Sequence, residues 1–278
     1  MGMYYQHKGS VYAAGVFLYA LTSVVGGAIS SRFYKYLGGT HWAVNILVTT
    51  MLFPLPLFII AMTLNNIAWA SDATSAFPFS AVFFIIFLWG VVTLPLTIIG
   101  GIAGRTRMDE TLVDVGYRLP KMAKKVPELP LYLGVGFTAV IAGLLPFSAT
   151  HVELYYIFSS FWGHKVYTMY GMLFMVFVML LNMTACISII LTYFQLNALD
   201  YRWWWRSFLN GASSGVYAFI YAIYFFYQKT EMHGFLQTMY FFGYSFLFSA
   251  AVSIIFGGIS FLASMAFVKH LYEKTKII

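Results

Sequence analysis

Apolar residues in this chain neither alternate nor mark out one stripe of a helix. They run in blocks long enough to cross a bilayer, for which a helix needs about 20 mostly apolar residues. The blocks predict seven spans, at about 11–30, 43–70, 79–103, 132–161, 167–197, 208–227 and 238–268. Several exceed the bilayer requirement, so they must tilt, kink or project past the lipid. Pro54 and Pro56 in the second span, Pro95 in the third and Pro146 in the fourth are the expected kinks, because proline removes a helix hydrogen bond. The expected fold class is all-α: one polytopic transmembrane helix bundle.

Composition agrees with the pattern. The chain is 61% hydrophobic and 9% charged, whereas soluble domains carry about 25% charged residues. No cleavable signal peptide is visible, since the polar start MGMYYQHKGS runs straight into a block long enough to span. Residues 1–10 read as a short lumenal N-terminus, 11–269 as the seven-helix membrane domain and 270–278 as a cytosolic tail. The long loop 104–131, with its charges and Pro120, Pro127 and Pro130, reads as cytosolic and irregular or surface-lying.

The net charge of +7 would raise nucleic acid as a partner for a soluble chain. Here topology explains it, so no nucleic-acid partner is expected. Arg32 and Lys35 form one basic group, Arg105, Arg107, Arg118, Lys121, Lys124 and Lys125 a second, Arg202 and Arg206 a third, and Lys269, Lys274 and Lys276 a fourth. All four fall on one side of a seven-span arrangement, leaving only Lys8, Lys165 and Lys229 of the sixteen Lys and Arg on the other. The positive-inside rule puts the C-terminus in the cytosol and, with an odd number of spans, the N-terminus in a lumen or outside. Trp42, Trp69, Trp162 and the run Trp203, Trp204, Trp205 fall near predicted interfaces, where indole buries its ring and keeps its N–H wet. Trp89 falls mid-span, as expected of packing between helices.

Candidate chemistry is sparse. Glu153 lies within the fourth span, nine residues before Trp162 and so about 13 Å deeper. An ionised carboxylate there is costly unless paired or wet. It fits a proton or cation site or a contact for a client helix, and it equally fits a hydrogen-bonded lock between two spans. Asp200 and Arg202 lie in a short cytosolic turn between spans five and six, where a salt bridge or helix N-cap is the expected use of the acid. The tryptophans between Arg202 and Arg206 suit a headgroup-level anchor. Asn45, Asn65, Asn66 and Asn182 are expected to bond between helices. Gly100-xxx-Gly104 and Gly211-xxx-Gly215 permit close helix approach. Cys186, the single cysteine, is expected to be a small packed hydrophobe. No H-E-x-x-H, P-loop, G-x-S-x-G or Cys/His cluster occurs, so neither an enzyme nor a cofactor is expected.

The string DYRWWWRSF (200–208) resembles the signature of the nonaspanins, also called the transmembrane nine superfamily or endomembrane protein 70. LTYFQLNAL (191–199), GGTHWAVN (38–45), FPFSAVFFIIFLWGVVTLPLTIIGG (77–101), LPFSATHVELYYIFSSFW (145–162) and GGISFLASMAFVKHLY (257–272) extend the resemblance over nearly the whole chain from about residue 11. It implies a large lumenal N-terminal domain and nine spans, with the seven here matching the last seven. It also implies residence in Golgi and endosomal membranes and a role in sorting other membrane proteins, including those with glycine-rich spans. Glu153 matches a family glutamate. Leu199-Asp200 stands where the family has Glu-Asp, Cys186 where it has a glutamate, and Lys276-Ile277-Ile278 where a Lys-x-Asp/Glu retention signal is expected, leaving Lys276 as its vestige. The expected function is non-enzymatic sorting through binding of client transmembrane helices within the bilayer. The alternative is a transporter or channel with Glu153 in an aqueous path.

Overall fold

The structure is a computed structural model that describes residues 8–36, 38–71, 78–106, 134–162, 170–230 and 234–275. Within those stretches, side chains are described except at 8–14, 16, 81, 149–162, 170–173, 175 and 273–275. Described residues outside loops and turns are helical. In order they are α1 (Lys8–Tyr36), α2 (Trp42–Met51), α3 (Pro54–Ala70), α4 (Phe79–Leu88), a π-helical turn (Trp89–Thr93), α5 (Leu94–Thr106), α6 (Val135–Trp162), α7 (Tyr170–Asn197), α8 (Trp203–Lys229) and α9 (Phe235–Thr275). The seven apolar blocks thus become seven helical segments, two of them interrupted.

Both interruptions stand at prolines. Pro54 opens α3 after the break at Leu52 and Phe53, where its missing N–H costs nothing because first-turn donors have no helical partner. Pro95 is the second residue of α5, the helix that follows directly on the π-helical turn. It cannot donate to the carbonyl four residues back, and its ring crowds that carbonyl, so the preceding turn widens. Pro146 is buried inside α6.

Among the described residues, Trp42–Ala70, Val82–Thr106, Val176–Asn197 and Phe235–Tyr272 are long and apolar enough to cross a membrane, and Val135–Ser148 is a shorter apolar helix. Large apolar side chains such as Phe83, Phe84, Phe174 and Ile190 face outward from these helices. In water that surface would be prohibitive, whereas in lipid it is the ordinary exterior. The protein is an all-α membrane bundle. α8, all of whose side chains are described, is less apolar because Ser207, Asn210, Ser213 and Ser214 interrupt it.

The chain divides into two compact units, residues 1–121 and 122–278. In the first, α1 and α5 run parallel in close contact. A Cβ on Gly100 would strike the Val24 carbonyl, one on Gly104 the Ala28 carbonyl and one on Gly27 the Thr97 carbonyl. Equal steps along both helices bring equal partners together, which is the mark of parallel packing. Lys35 Nζ donates to the Arg105 carbonyl (3.3 Å) at the shared C-terminal end, where a cation suits the helix dipole. The Arg105 guanidinium sits 5.7 Å from the centre of the Trp42 ring. Asn45 Nδ2 on α2 donates to Ser30 Oγ on α1 (3.0 Å), and Ser30 Oγ lies 2.7 Å from Thr49 Oγ1.

In the second unit, α6 and α8 run parallel, α7 and α9 run parallel, and the α8–α9 contact is antiparallel. Tyr217 Oη donates to the Val140 carbonyl (3.1 Å), and its ring stacks on Phe147 at 5.6 Å. A Cβ on Gly211 would strike the Phe256 carbonyl, and one on Gly215 would strike Ser253 Oγ and the Ser249 carbonyl. Ala222, Phe225 and Phe241 form the apolar core, flanked by Phe147, Tyr221, Phe226 and Phe242.

Cys186 departs from expectation, because it is exposed on α7. The buried face of that helix belongs instead to Thr184, Ser188, Thr192 and Gln195. Of the asparagines, Asn45 bonds between helices, whereas Asn182 Nδ2 donates to Val178 O on its own helix (3.0 Å) and Asn66 is exposed.

Candidate functional site

The polar residues of the second unit gather where α7 turns into α8. The last turn of α7 closes with Leu199 N–H on the Leu196 carbonyl (3.0 Å) and Asp200 N–H on the Gln195 carbonyl (3.2 Å). That is the Schellman pattern, with its left-handed position at Leu199 (φ 60). The reversal turns Asp200 inward, where it is 1% exposed.

Both carboxylate oxygens of Asp200 are engaged. Oδ1 accepts from Arg202 N–H (3.1 Å) and Arg202 Nε (3.3 Å). Oδ2 accepts from Arg206 Nη1 (2.7 Å) and Gln195 Nε2 (3.2 Å). Burial by itself would push the carboxyl up. The hydrogen bonds from the Arg202 backbone and the Arg202 and Arg206 side chains, with the Arg202 charge, outweigh it and hold Asp200 below the usual carboxylate range. The expected salt bridge is therefore present and double. The expected helix cap is not: Arg202 is the N-cap of α8 and its side chain makes no capping bond.

Beside this knot lies a cluster of hydroxyls. Ser188 Oγ stands 2.6 Å from Ser264 Oγ, 3.0 Å from Ser207 Oγ and 2.7 Å from Ser260 Oγ. Thr192 Oγ1 lies 2.8 Å and Ser207 Oγ 2.6 Å from Ser264 Oγ. Ser260 Oγ donates to the Ser207 carbonyl (2.6 Å), and the Ser260 carbonyl accepts from Ser188 and Ser207 (both 2.9 Å). All five residues are buried. The cluster joins α7, α8 and α9 with neutral hydrogen bonds in place of apolar packing. In lipid such bonds contribute about 0.6–2 kcal/mol each.

The tryptophan run divides. Trp203 is partly buried and stacks on Phe261 of α9 at 5.6 Å, while Trp204 and Trp205 are exposed. Arg202 is half-exposed and Arg206 buried. The structure therefore brings together Asp200, Arg202, Trp203 and Arg206, and directs Trp204 and Trp205 away. Glu153 lies on α6, but its side chain is outside the described residues. Lys276 is also outside them. Among the described residues no group of three or more His, Cys, Asp or Glu could hold a metal ion.

The residues that sequence reasoning passed over are the hydroxyls themselves. A signal was present: Thr184, Ser188 and Thr192 recur every four residues, as do Ser245, Ser249 and Ser253, and Ser260 is followed by Ser264. A four-residue repeat of small polar side chains in an apolar helix marks one face.

The chain matches the family model described as endomembrane protein 70 over residues 1–235. It is similar to transmembrane 9 superfamily member 1 of Pongo abelii, 41% identical over 278 residues, covering 100% of this chain and 46% of the relative. Transmembrane 9 superfamily member 4 of Arabidopsis thaliana is 42% identical over 277 residues, covering 99% and 46%. Member 3 from the same plant is 43% identical with the same coverage. The chain spans about half the length of these relatives. No solved structure matches it. An aligned match along the whole chain, falling on a membrane bundle whose signature turn is locked by its own buried acid and arginine, makes this chain a member of the endomembrane protein 70, or transmembrane 9, family.

Proposed function

We propose that this chain is the membrane-embedded part of a non-enzymatic endomembrane protein that binds the transmembrane helices of client proteins and directs their sorting in Golgi and endosomal membranes. In this reading all seven helical segments cross the bilayer, with the C-terminus cytosolic and loop 104–131 on the same side. Family membership supports the endomembrane setting. The observation that carries client binding is the contrast between two neighbouring glycines of α1. Gly27 is filled from across the helix by α5, whereas a Cβ on Gly26 would meet nothing within 4 Å. Thr22 and Gly26, one turn apart, are both exposed, so α1 presents a small-residue face on which another helix can approach closely. A client span rich in glycine offers the matching face.

Proximity labelling and crosslinking of the tagged protein in cells tests this directly. Wild type should recover membrane proteins of the Golgi and endosomes, and Gly26→Leu should lose them without lowering the unfolding midpoint. Equal recovery by Gly26→Leu removes that face from the proposal. Glu153→Gln should likewise weaken recovery while leaving the fold intact. A tag at residue 278 should be digested by protease added to sealed vesicles, and its protection would overturn the orientation.

A further inference from the structure

Hydroxyls inside helices usually spend their proton on their own backbone, and most here do. Thr50 donates to Ile46 O, Thr97 to Thr93 O, Thr138 to Gly134 O and Ser214 to Gly211 O. α7 differs: Ser188 and Thr192 turn off their helix and bond across to α8 and α9. Thr184, one turn before Ser188, is 3% exposed, and its Oγ1 has no hydrogen-bond partner among the described residues. On α8, one turn beyond Ser207, Asn210 is 5% exposed and its Oδ1 is also without a partner among them.

These two groups belong to one layer. α7 and α8 are antiparallel and meet at Ser188 and Ser207, 3.0 Å apart. One turn back along α7 and one turn on along α8 is the same displacement along the bundle, so Thr184 and Asn210 lie at the same level, one turn from the Ser188–Ser207 contact. Leaving both oxygens dry would forfeit the hydrogen bonds they make to water in the unfolded chain. An amide oxygen can only accept, so the missing partner of Asn210 must bring a proton or a positive charge.

We propose that a buried water molecule is bound between α7 and α8 in this layer. It accepts the Thr184 hydroxyl proton and donates one O–H to Asn210 Oδ1. Its second O–H goes to the adjoining hydroxyl cluster, where each oxygen has two lone pairs and only one proton. That gives the water about three hydrogen bonds, the usual complement of a buried water. A cation fits the layer less well. Among the described residues no carboxylate lies in it, Arg206 stands one turn away on α8, and both oxygens of Asp200 are engaged by other groups. The joint between α7 and α8 is therefore wet, whereas the contact of α8 with α9 is closed by Gly211 and Gly215 against backbone carbonyls.

The test uses thermal unfolding of the full chain in detergent. Thr184→Val and Asn210→Leu should each lower the midpoint by about 2–4 °C, because each strands the water and its other partner. The double variant should fall by clearly less than the two together. If the layer is dry, each substitution removes an orphan oxygen, so Thr184→Val raises the midpoint and the double variant is additive; that result overturns the proposal. If Asn210→Leu fails to fold, a cryo-EM map at water-resolving resolution decides. A density peak between Thr184 and Asn210 that persists when sodium is replaced by N-methyl-D-glucamine supports the water. No peak, or a peak and midpoint that depend on sodium, overturns it.

Discussion

Arg206 Nη1 lies 2.7 Å from Asp200 Oδ2, with the two side chains 9% and 1% exposed. The acid and base were buried together by the turn that reverses the chain, so neither can recover water if the other is removed. Breaking a buried pair leaves an uncompensated charge at a cost of about 3–5 kcal/mol. Asp200→Asn should therefore destabilise the second unit on that scale. Arg202, whose side chain is 56% exposed, is held in the same knot, yet Arg202→Gln should cost no more than about 1 kcal/mol. Denaturation of both variants in one detergent gives the comparison, and equal losses would contradict it.

Acid should act on the same group. The Asp200 carboxyl is held below its ordinary range in the folded protein. Its contribution is therefore complete above the unfolded value of about 3.9 and is lost as pH falls from there through the depressed folded value. The unfolding midpoint of wild type should fall more steeply below about pH 4 than that of Asp200→Asn. Parallel pH profiles would show that this carboxylate is not linked to stability.

Leu199 occupies a left-handed backbone position (φ 60) that costs a residue with a Cβ about 1–2 kcal/mol. Its side chain is 60% exposed, so little packing is lost on removing it. Leu199→Gly should stabilise the protein by about 0.5–1 kcal/mol, read as a rise in unfolding midpoint.

Gly104 and Gly26 should respond in opposite senses to the same substitution. A methyl on Gly104 meets the Ala28 backbone, whereas one on Gly26 meets nothing within 4 Å. Gly104→Ala should destabilise by about 1–3 kcal/mol because backbone cannot move aside as a side chain can. Gly26→Ala should be neutral or gain up to about 1 kcal/mol from helix propensity.

Cys186 faces outward from α7. As the single cysteine it reports on that face without mutagenesis. A charged, membrane-impermeant maleimide should leave the folded protein in membranes unlabelled and label it once it is unfolded in denaturant, because lipid suppresses the thiolate that reacts. Labelling of the folded protein in membranes would show that the face is in contact with water.

The number of helical segments was legible because a span needs about 20 apolar residues and the sequence carries seven such blocks; their limits were less so, since α1 runs on to Tyr36 and α9 to Thr275, past the ends of the apolar blocks. The break at Pro54 and the widened turn before Pro95 were legible for a similar reason, since proline lacks an N–H wherever it stands. The ion pair of Asp200 could be read because its arginines lie two and six residues away. The Schellman turn at Leu199 could not, since no glycine marks it.

The four-residue repeat marks a hydroxyl face in the sequence, but the bond each hydroxyl makes was decided by tertiary structure. A serine or threonine in a helix can satisfy itself on its own backbone, as Thr50 and Thr97 do, or reach across to another helix, as Ser188 does to Ser264, 76 residues away. Both choices look the same in the sequence. Only the approach of a neighbouring helix makes the outward bond available, so only the packed bundle settles where each proton goes.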